Sequence, residues 1–224
     1  MPSVTITSLE GPTFEAYAAF PSGPGGPGLV VLHPQEGITP AIRAACDTFA
    51  AEGYMVLCPN LFWRLKAGTP VTDLAFDVEG GARDVLATVA YVRRLPGYAG
   101  KTGVVGYGLG GRLAWLAASR SDVEAVVSYE GHGLETLLHE VHDIRMPFLV
   151  HIAGRDPAIP PATQARILKK CTLNPVLRPH VLPEAEAGFI GQGTPAYNAA
   201  LADEAVALTR TFLAEELKDS PTRL

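Results

Sequence analysis

The chain alternates between short, continuously apolar runs and longer stretches in which apolar positions recur at helical spacing. Leu29-Val30-Val31-Leu32 is a run of the first kind, as expected for a parallel strand covered on both faces. Tyr54–Cys58, Thr102–Tyr107, Ala125–Tyr129, Phe148–Ile152 and Val176–Leu182 read as further strands. Two β-like runs precede them, Val4–Thr7 and the alternating Phe14–Phe20. Helical stretches separate the later strands. The first runs from about Thr39 to Glu52, with Thr39 as N-cap, Pro40 at the first helical position and Gly53 as the stop. Val78–Arg94 is the second, ended by Leu95-Pro96-Gly97. Leu109–Ser119, Pro161–Cys171 and a last helix from about Tyr197 to Leu217 follow. Strands alternating with helices predict an α/β fold, with a mostly parallel sheet, right-handed crossovers and helices on both faces. The segment 21–28 (PSGPGGPG) reads as a turn, because a buried strand follows at once. Residues 60–78 read as irregular. With no repeat and no low-complexity tract, residues 1–224 are expected to form one domain.

Composition narrows the function classes. Hydrophobic residues make up 47% and charged residues 18%, which excludes a disordered chain. A net charge of −5 with no basic run gives nucleic-acid binding no electrostatic footprint. The three cysteines, Cys46, Cys58 and Cys171, follow no metal spacing and suggest a reducing compartment. The N-terminus lacks the pattern of a signal peptide, and no apolar run approaches the roughly 18 residues of a membrane span. The expectation is a cytoplasmic protein, with neither membrane nor nucleic acid as partner.

The chemistry points to residues 104–111. Val104-Val105-Gly106-Tyr107-Gly108-Leu109-Gly110-Gly111 runs strand, sharp turn, helix. This is the G-x-S-x-G frame of a nucleophile elbow, with glycine at the middle position. Gly106 and Gly110 let strand and helix approach closely. The turn aims the Leu109 N–H at the pocket, where it can stabilise an oxyanion. A dinucleotide loop is the competing reading. It fits poorly, because the run lies in mid-chain and no acidic residue ends the next strand.

Several stretches carry a wider resemblance. They are LVVLH at 29–33, AAEGYMVLCPNLFWR at 50–64, GKTGVVGYGLGGRLAWLAA at 100–118, HIAGRDPAIP at 151–160 and AYNAALADEAVALTRTFL at 196–213. With these the chain resembles the dienelactone hydrolase (carboxymethylenebutenolidase-like) family over nearly its whole length. The resemblance implies an α/β-hydrolase fold, a Cys–His–Asp triad, a helper Glu after the early strand, and hydrolysis of small lactones or esters.

Carried over position by position, the family's Cys falls on Gly108 and its acid on Asp156. The His falls on Ala187 when the count is anchored on Phe189, and no histidine follows His180. The helper Glu looks at first like Glu36, in Gln35-Glu36-Gly37. A gapless count back from Gly53-Tyr54 instead puts it on Pro34 and leaves Glu36 on the surface. The second oxyanion N–H then belongs to Gln35. The family binds its anionic substrate through arginines, and Arg64 is a remnant of that or a surface residue. Without thiol and imidazole the family's covalent mechanism cannot run as written.

Other titratable groups sit at strand ends. His33 closes the early strand, either as a catalytic group or, on balance, as a loop anchor. Glu130 and His132 could supply acid and base to a rebuilt site, with a polar loop an equal alternative. His151 reads as a core histidine. His139 and His142 share a helical face but lack a third ligand, so a solvated loop fits better than a metal site. Glu184 and Glu186 could act as bases if buried. No metal or cofactor is expected.

The sequence leads to a degenerate or atypical family member, a pseudoenzyme binding a small lactone, ester or carboxylate as monomer or homodimer. The alternative is an enzyme of altered mechanism, a non-covalent hydrolase, lyase or isomerase. It would use Asp156, His33 or Glu36 as catalytic groups. Gln35, Leu109, Gly108, Tyr107 and Arg64 would form the oxyanion and ligand site.

Overall fold

The computed structural model describes residues 3–66, 69–71 and 75–218. Within these residues eight strands form one sheet: β1 (Ser3–Thr7), β2 (Thr13–Ala19), β3 (Gly26–Leu32), β4 (Met55–Pro59), β5 (Tyr98–Tyr107), β6 (Ala125–Tyr129), β7 (Phe148–Ala153) and β8 (Leu177–Leu182). Their order is β1-β2-β4-β3-β5-β6-β7-β8. The first two pairings are antiparallel and the other five parallel. Among the described residues, five α-helices flank the sheet: α1 (Pro40–Ala51), α2 (Val78–Val92), α3 (Leu109–Arg120), α4 (Pro161–Cys171) and α5 (Ala199–Leu217). The fold is that of the α/β hydrolases.

The apolar runs divide their side chains between two layers, as a period-2 strand must. Val30 and Leu32 pack with Leu57 and Val104 against Val85 and Val89 of α2 and Leu113 of α3. Leu29 and Val31 pack with Val56 and Val105 against Cys46 and Phe49 of α1 and Phe212 and Leu213 of α5. Caps fix the helix starts: the Thr39 hydroxyl accepts the Ile42 N–H, and the Asp77 carboxylate accepts the Gly80 N–H.

Some boundaries differ from those read in the sequence. β3 begins at Gly26 and β5 at Tyr98, because pairing of Gly26 with Tyr98 extends both strands into glycine-bearing segments. Two 3₁₀ turns, Leu134–Thr136 and Leu138–His142, fill the connection read as a loop. The strand order reverses at β3 and β5, so the crevice beyond their carboxyl ends is where an open α/β sheet binds ligands. The ends of β3, β5, β6 and β7 deliver Pro34 and Gln35, Gly108, Glu130 and His132, and Asp156 to that edge. Among the described residues, no helix is long and apolar enough to cross a membrane.

Candidate active site

Steric demands at the turn between β5 and α3 explain its glycines. A Cβ on Gly106 would sit 2.0 Å from the Gly110 carbonyl oxygen, and one on Gly110 2.3 Å from that of Leu32. Gly108 itself has φ 52° and ψ −114°. Its N–H donates to the Tyr129 carbonyl, and its own carbonyl accepts the Gly111 N–H, each at 2.9 Å. This is the strained elbow that lifts a nucleophile above a sheet, built here around a residue with no side chain.

The space above Gly108 has defined walls. A Cβ there would lie 2.9 Å from Gln35 Oε1 and 3.4 Å from Pro34 Cβ. Pro34 therefore abuts the elbow, whereas Glu36 is exposed on the turn beyond it. Among the described residues, neither the Leu109 nor the Gln35 N–H donates to a protein group. Leu109 opens α3, so its N–H adds the positive end of the helix dipole.

An imidazole is also present. His132 Nε2 lies 2.8 Å from Asp156 Oδ2, and Asp156 is 2% exposed. The other carboxylate oxygen accepts the Ala158 N–H at 2.8 Å. A carboxylate only accepts, so Nε2 carries the proton, and in the neutral imidazole Nδ1 presents its lone pair. Nδ1 faces the Gln35 amide across a long 3.4 Å contact. Gln35 thus spans from Gly108 to the imidazole, and Asp156 meets the ring with the geometry that the acid of a triad would have. The imidazole comes from the loop after β6, not from the loop after β8, where Ala187 stands.

Glu130 turns the chain between β6 and His132. Its φ is 50°, and no other described non-glycine residue has a positive φ. Its carboxylate accepts the Gly188 N–H, with oxygens at 3.0 and 2.9 Å. Burial pushes its pKa up to about 7.

Several expected site residues lie elsewhere. His33 is buried with both nitrogens engaged: Nδ1–H donates to the Pro34 carbonyl at 2.8 Å, and Nε2 accepts the Leu61 N–H at 3.0 Å. It anchors the Gln35 loop to the start of the 61–64 turn and has no nitrogen left for chemistry. Arg64 is consumed by Asp84, through Nη2 at 2.9 Å and Nε at 3.1 Å, and by Glu10 at 2.6 Å. Tyr107 points into the α1/α5 layer and stacks on Tyr129 at 4.9 Å, so its ring is core. Glu184 is exposed and paired with Arg155, and Glu186 is exposed. His139 and His142 are exposed on a 3₁₀ turn. An open cavity of about 310 Å³ between Tyr17, Ile38, Arg43 and Asn60 includes none of the site residues.

Two predictions concern stability. Asp84 is fully buried, and Arg64→Met would leave its carboxylate without a cation, with Trp63 Nε1–H still donating at 2.7 Å. Urea unfolding should show a loss of about 3 kcal/mol. The second concerns pH. Burial lowers the pKa of His33 to about 4 and that of His151 to about 3, from an ordinary 6.5. The unfolded chain then binds more protons than the native one below 6.5, so stability falls as pH drops from 6.5 toward 4. Glu130 acts oppositely between about 4.5 and 7, because its raised pKa makes the native state the better proton binder. Two imidazoles outweigh one carboxyl, and His33→Asn should flatten the acid-side fall in Tm.

Known proteins agree with this architecture. The dienelactone hydrolase family model matches residues 14–217. A carboxymethylenebutenolidase of Pseudomonas putida is 33% identical over 90% of this chain and 92% of its own. One from Cupriavidus pinatubonensis is 33% identical over 96% and 97%. A promiscuous dienelactone hydrolase-like phosphotriesterase from metagenomic libraries superposes with a TM-score of 0.80, at 16% identity over 96% of this chain and 98% of its own, a likeness of fold. On sequence and fold together, the chain belongs to the dienelactone hydrolase family.

Proposed function

We propose that this protein hydrolyses small esters or lactones by direct attack of water, with His132 as general base and Asp156 as its orienting acid. The observation that carries this reading is the 2.8 Å His132–Asp156 pair, whose second imidazole nitrogen faces the Gln35 amide beside Gly108. The carbonyl oxygen of the substrate sits between the Leu109 and Gln35 N–H groups. Water takes the place above Gly108 that a thiol side chain would fill, within reach of Gln35 and His132. His132 Nδ1 removes its proton as the oxygen attacks the carbonyl carbon. The electron pair of the C=O bond moves to oxygen, where the two N–H groups hold it. Asp156 stabilises the imidazolium; the oxyanion's electron pair then re-forms the C=O bond, the C–O bond to the alcohol breaks, and the imidazolium returns the proton to the departing alkoxide. No acyl-enzyme forms. Cys46, Cys58 and Cys171 are buried in the helix–sheet layers and offer no replacement nucleophile.

A second reading is a pseudoenzyme that binds a small ester, lactone or carboxylate without turnover, favoured by the bare Gly108. One experiment separates the two. Purified protein is assayed on aryl acetates and five-membered lactones while intact-protein mass spectrometry watches for adducts. Water attack predicts catalytic turnover, no burst and no acyl mass. Ligand-induced thermal stabilisation without turnover supports the second reading. Absence of both contradicts each of them.

A further inference from the structure

We propose that Glu130 is a positioning residue for His132, tying the corner that carries the imidazole to the loop after β8. This rests on the reading of His132 as the base. A non-glycine residue in the left-handed region is held there at a cost on the order of 1 kcal/mol or more, and surrounding contacts must compensate for it. At Glu130 those contacts are visible. Its N–H extends the sheet to the His151 carbonyl at 3.1 Å. Its side chain, in a residue only 6% exposed, turns away from the sheet and receives the Gly188 N–H on both carboxylate oxygens. A neutral loop contact would need no buried carboxylate. Here one closes a chain corner two residues before the imidazole.

The far end of this tie is also fixed. The Gly188 carbonyl accepts the Gly191 N–H and the Thr194 hydroxyl, each at 2.9 Å, and Phe189 is fully buried. The same loop reaches the acid of the pair, because the Ala185 carbonyl accepts the Arg155 N–H at 2.8 Å, next to Asp156. The loop after β8 carries no imidazole, yet it joins the two loops that carry His132 and Asp156. Glu130 makes the connection on the His132 side.

Once ionised, above its raised pKa of about 7, the carboxylate also acts through its charge. It favours protonated His132, as Asp156 does. Other charged groups on the surrounding elements are Arg112 of α3, whose guanidinium lies against Gly133, Glu135 in the first 3₁₀ turn, and the exposed Arg155–Glu184 pair.

Glu130→Gln keeps an oxygen for the Gly188 N–H and loses the charge. Glu130→Ala loses both. The imidazole resonances of His132 are followed by NMR against pH, and Gly188 by amide exchange. In Glu130→Gln the His132 midpoint should move by less than about half a unit, with Gly188 protection kept, whereas in Glu130→Ala it should fall further as the pairing with Asp156 loosens. In Glu130→Ala the Gly188 amide should exchange at least about tenfold faster. A His132 midpoint no lower in a folded Glu130→Ala than in Glu130→Gln overturns the proposal, and so does unchanged Gly188 exchange in Glu130→Ala. If Glu130→Ala does not fold, Glu130→Gly, which takes the φ of 50° without strain, replaces it. Neither readout needs turnover, so failure of the hydrolase reading and failure of this one are told apart.

Discussion

Gly108→Cys should place a thiol that reacts with iodoacetamide near neutral pH on the order of tenfold faster than the same thiol does when His132 is also changed to Ala. The new Cβ would meet Gln35 Oε1 at 2.9 Å, which is the far end of a flexible side chain and can swing aside. The cost is backbone strain, because φ is 52° at this position. A loss of about 1–3 kcal/mol in stability is expected, of the kind stored at functional turns. In return the sulfur stands at the start of α3, beside the Leu109 N–H, with His132 and Asp156 across the Gln35 amide. Helix dipole and imidazole both favour the thiolate. With an aryl acetate the variant should show a first-turnover burst and an acyl adduct, where the unaltered protein shows neither. The dependence on His132 matters most. A thiol equally reactive with and without that imidazole would mean that the His132–Asp156 pair does not serve the space above Gly108.

The sheet was readable because its parallel strands are covered on both faces and so are written as unbroken apolar runs. Leu29–Leu32 and Ala125–Val127 are examples. The first turn of β5 was not, since Tyr98–Lys101 is partly exposed and includes Gly100. The 3₁₀ turns at 134–142 are too short to show a period. At the site, Gly108 and Asp156 were legible because each stands in a local frame, an elbow and a strand-end turn. His132 was seen as a candidate base but not distinguished from a polar loop. Its partner lies 24 residues away, and it takes the parallel pairing of β6 with β7 to bring the two loops together. The one available signal was a Glu-Gly-His sequence directly after a buried strand. Gln35 was read for its backbone N–H alone, and its amide side chain turned out to bridge elbow and imidazole. His33 and Arg64 each kept two readings open for a shared reason. Burial and partner choice decide whether a His or Arg is available, and neither Leu61 nor Asp84 announces itself as the partner in the sequence.

Loss of the base should be the most damaging change to turnover. A positioned general base contributes on the order of 10²–10⁴-fold. His132→Ala removes the proton acceptor outright. Asp156→Asn retains the shape, but its amide can turn an N–H toward Nε2, which exchanges the tautomer and points a proton at the water site. Both variants should fall by about 10³-fold, and because the two residues act as a unit, the double variant should be little worse than either. His33→Asn, in contrast, changes stability through the Leu61 anchor rather than the reacting groups.

The most direct measurement is therefore kcat/KM for hydrolysis of a small aryl ester by the unaltered protein, His132→Ala and Asp156→Asn, with folding of each verified by circular dichroism. The geometry predicts measurable turnover in the first and a drop on the order of 10³-fold in the other two. Folded variants that hydrolyse the ester as fast as the unaltered protein would contradict it.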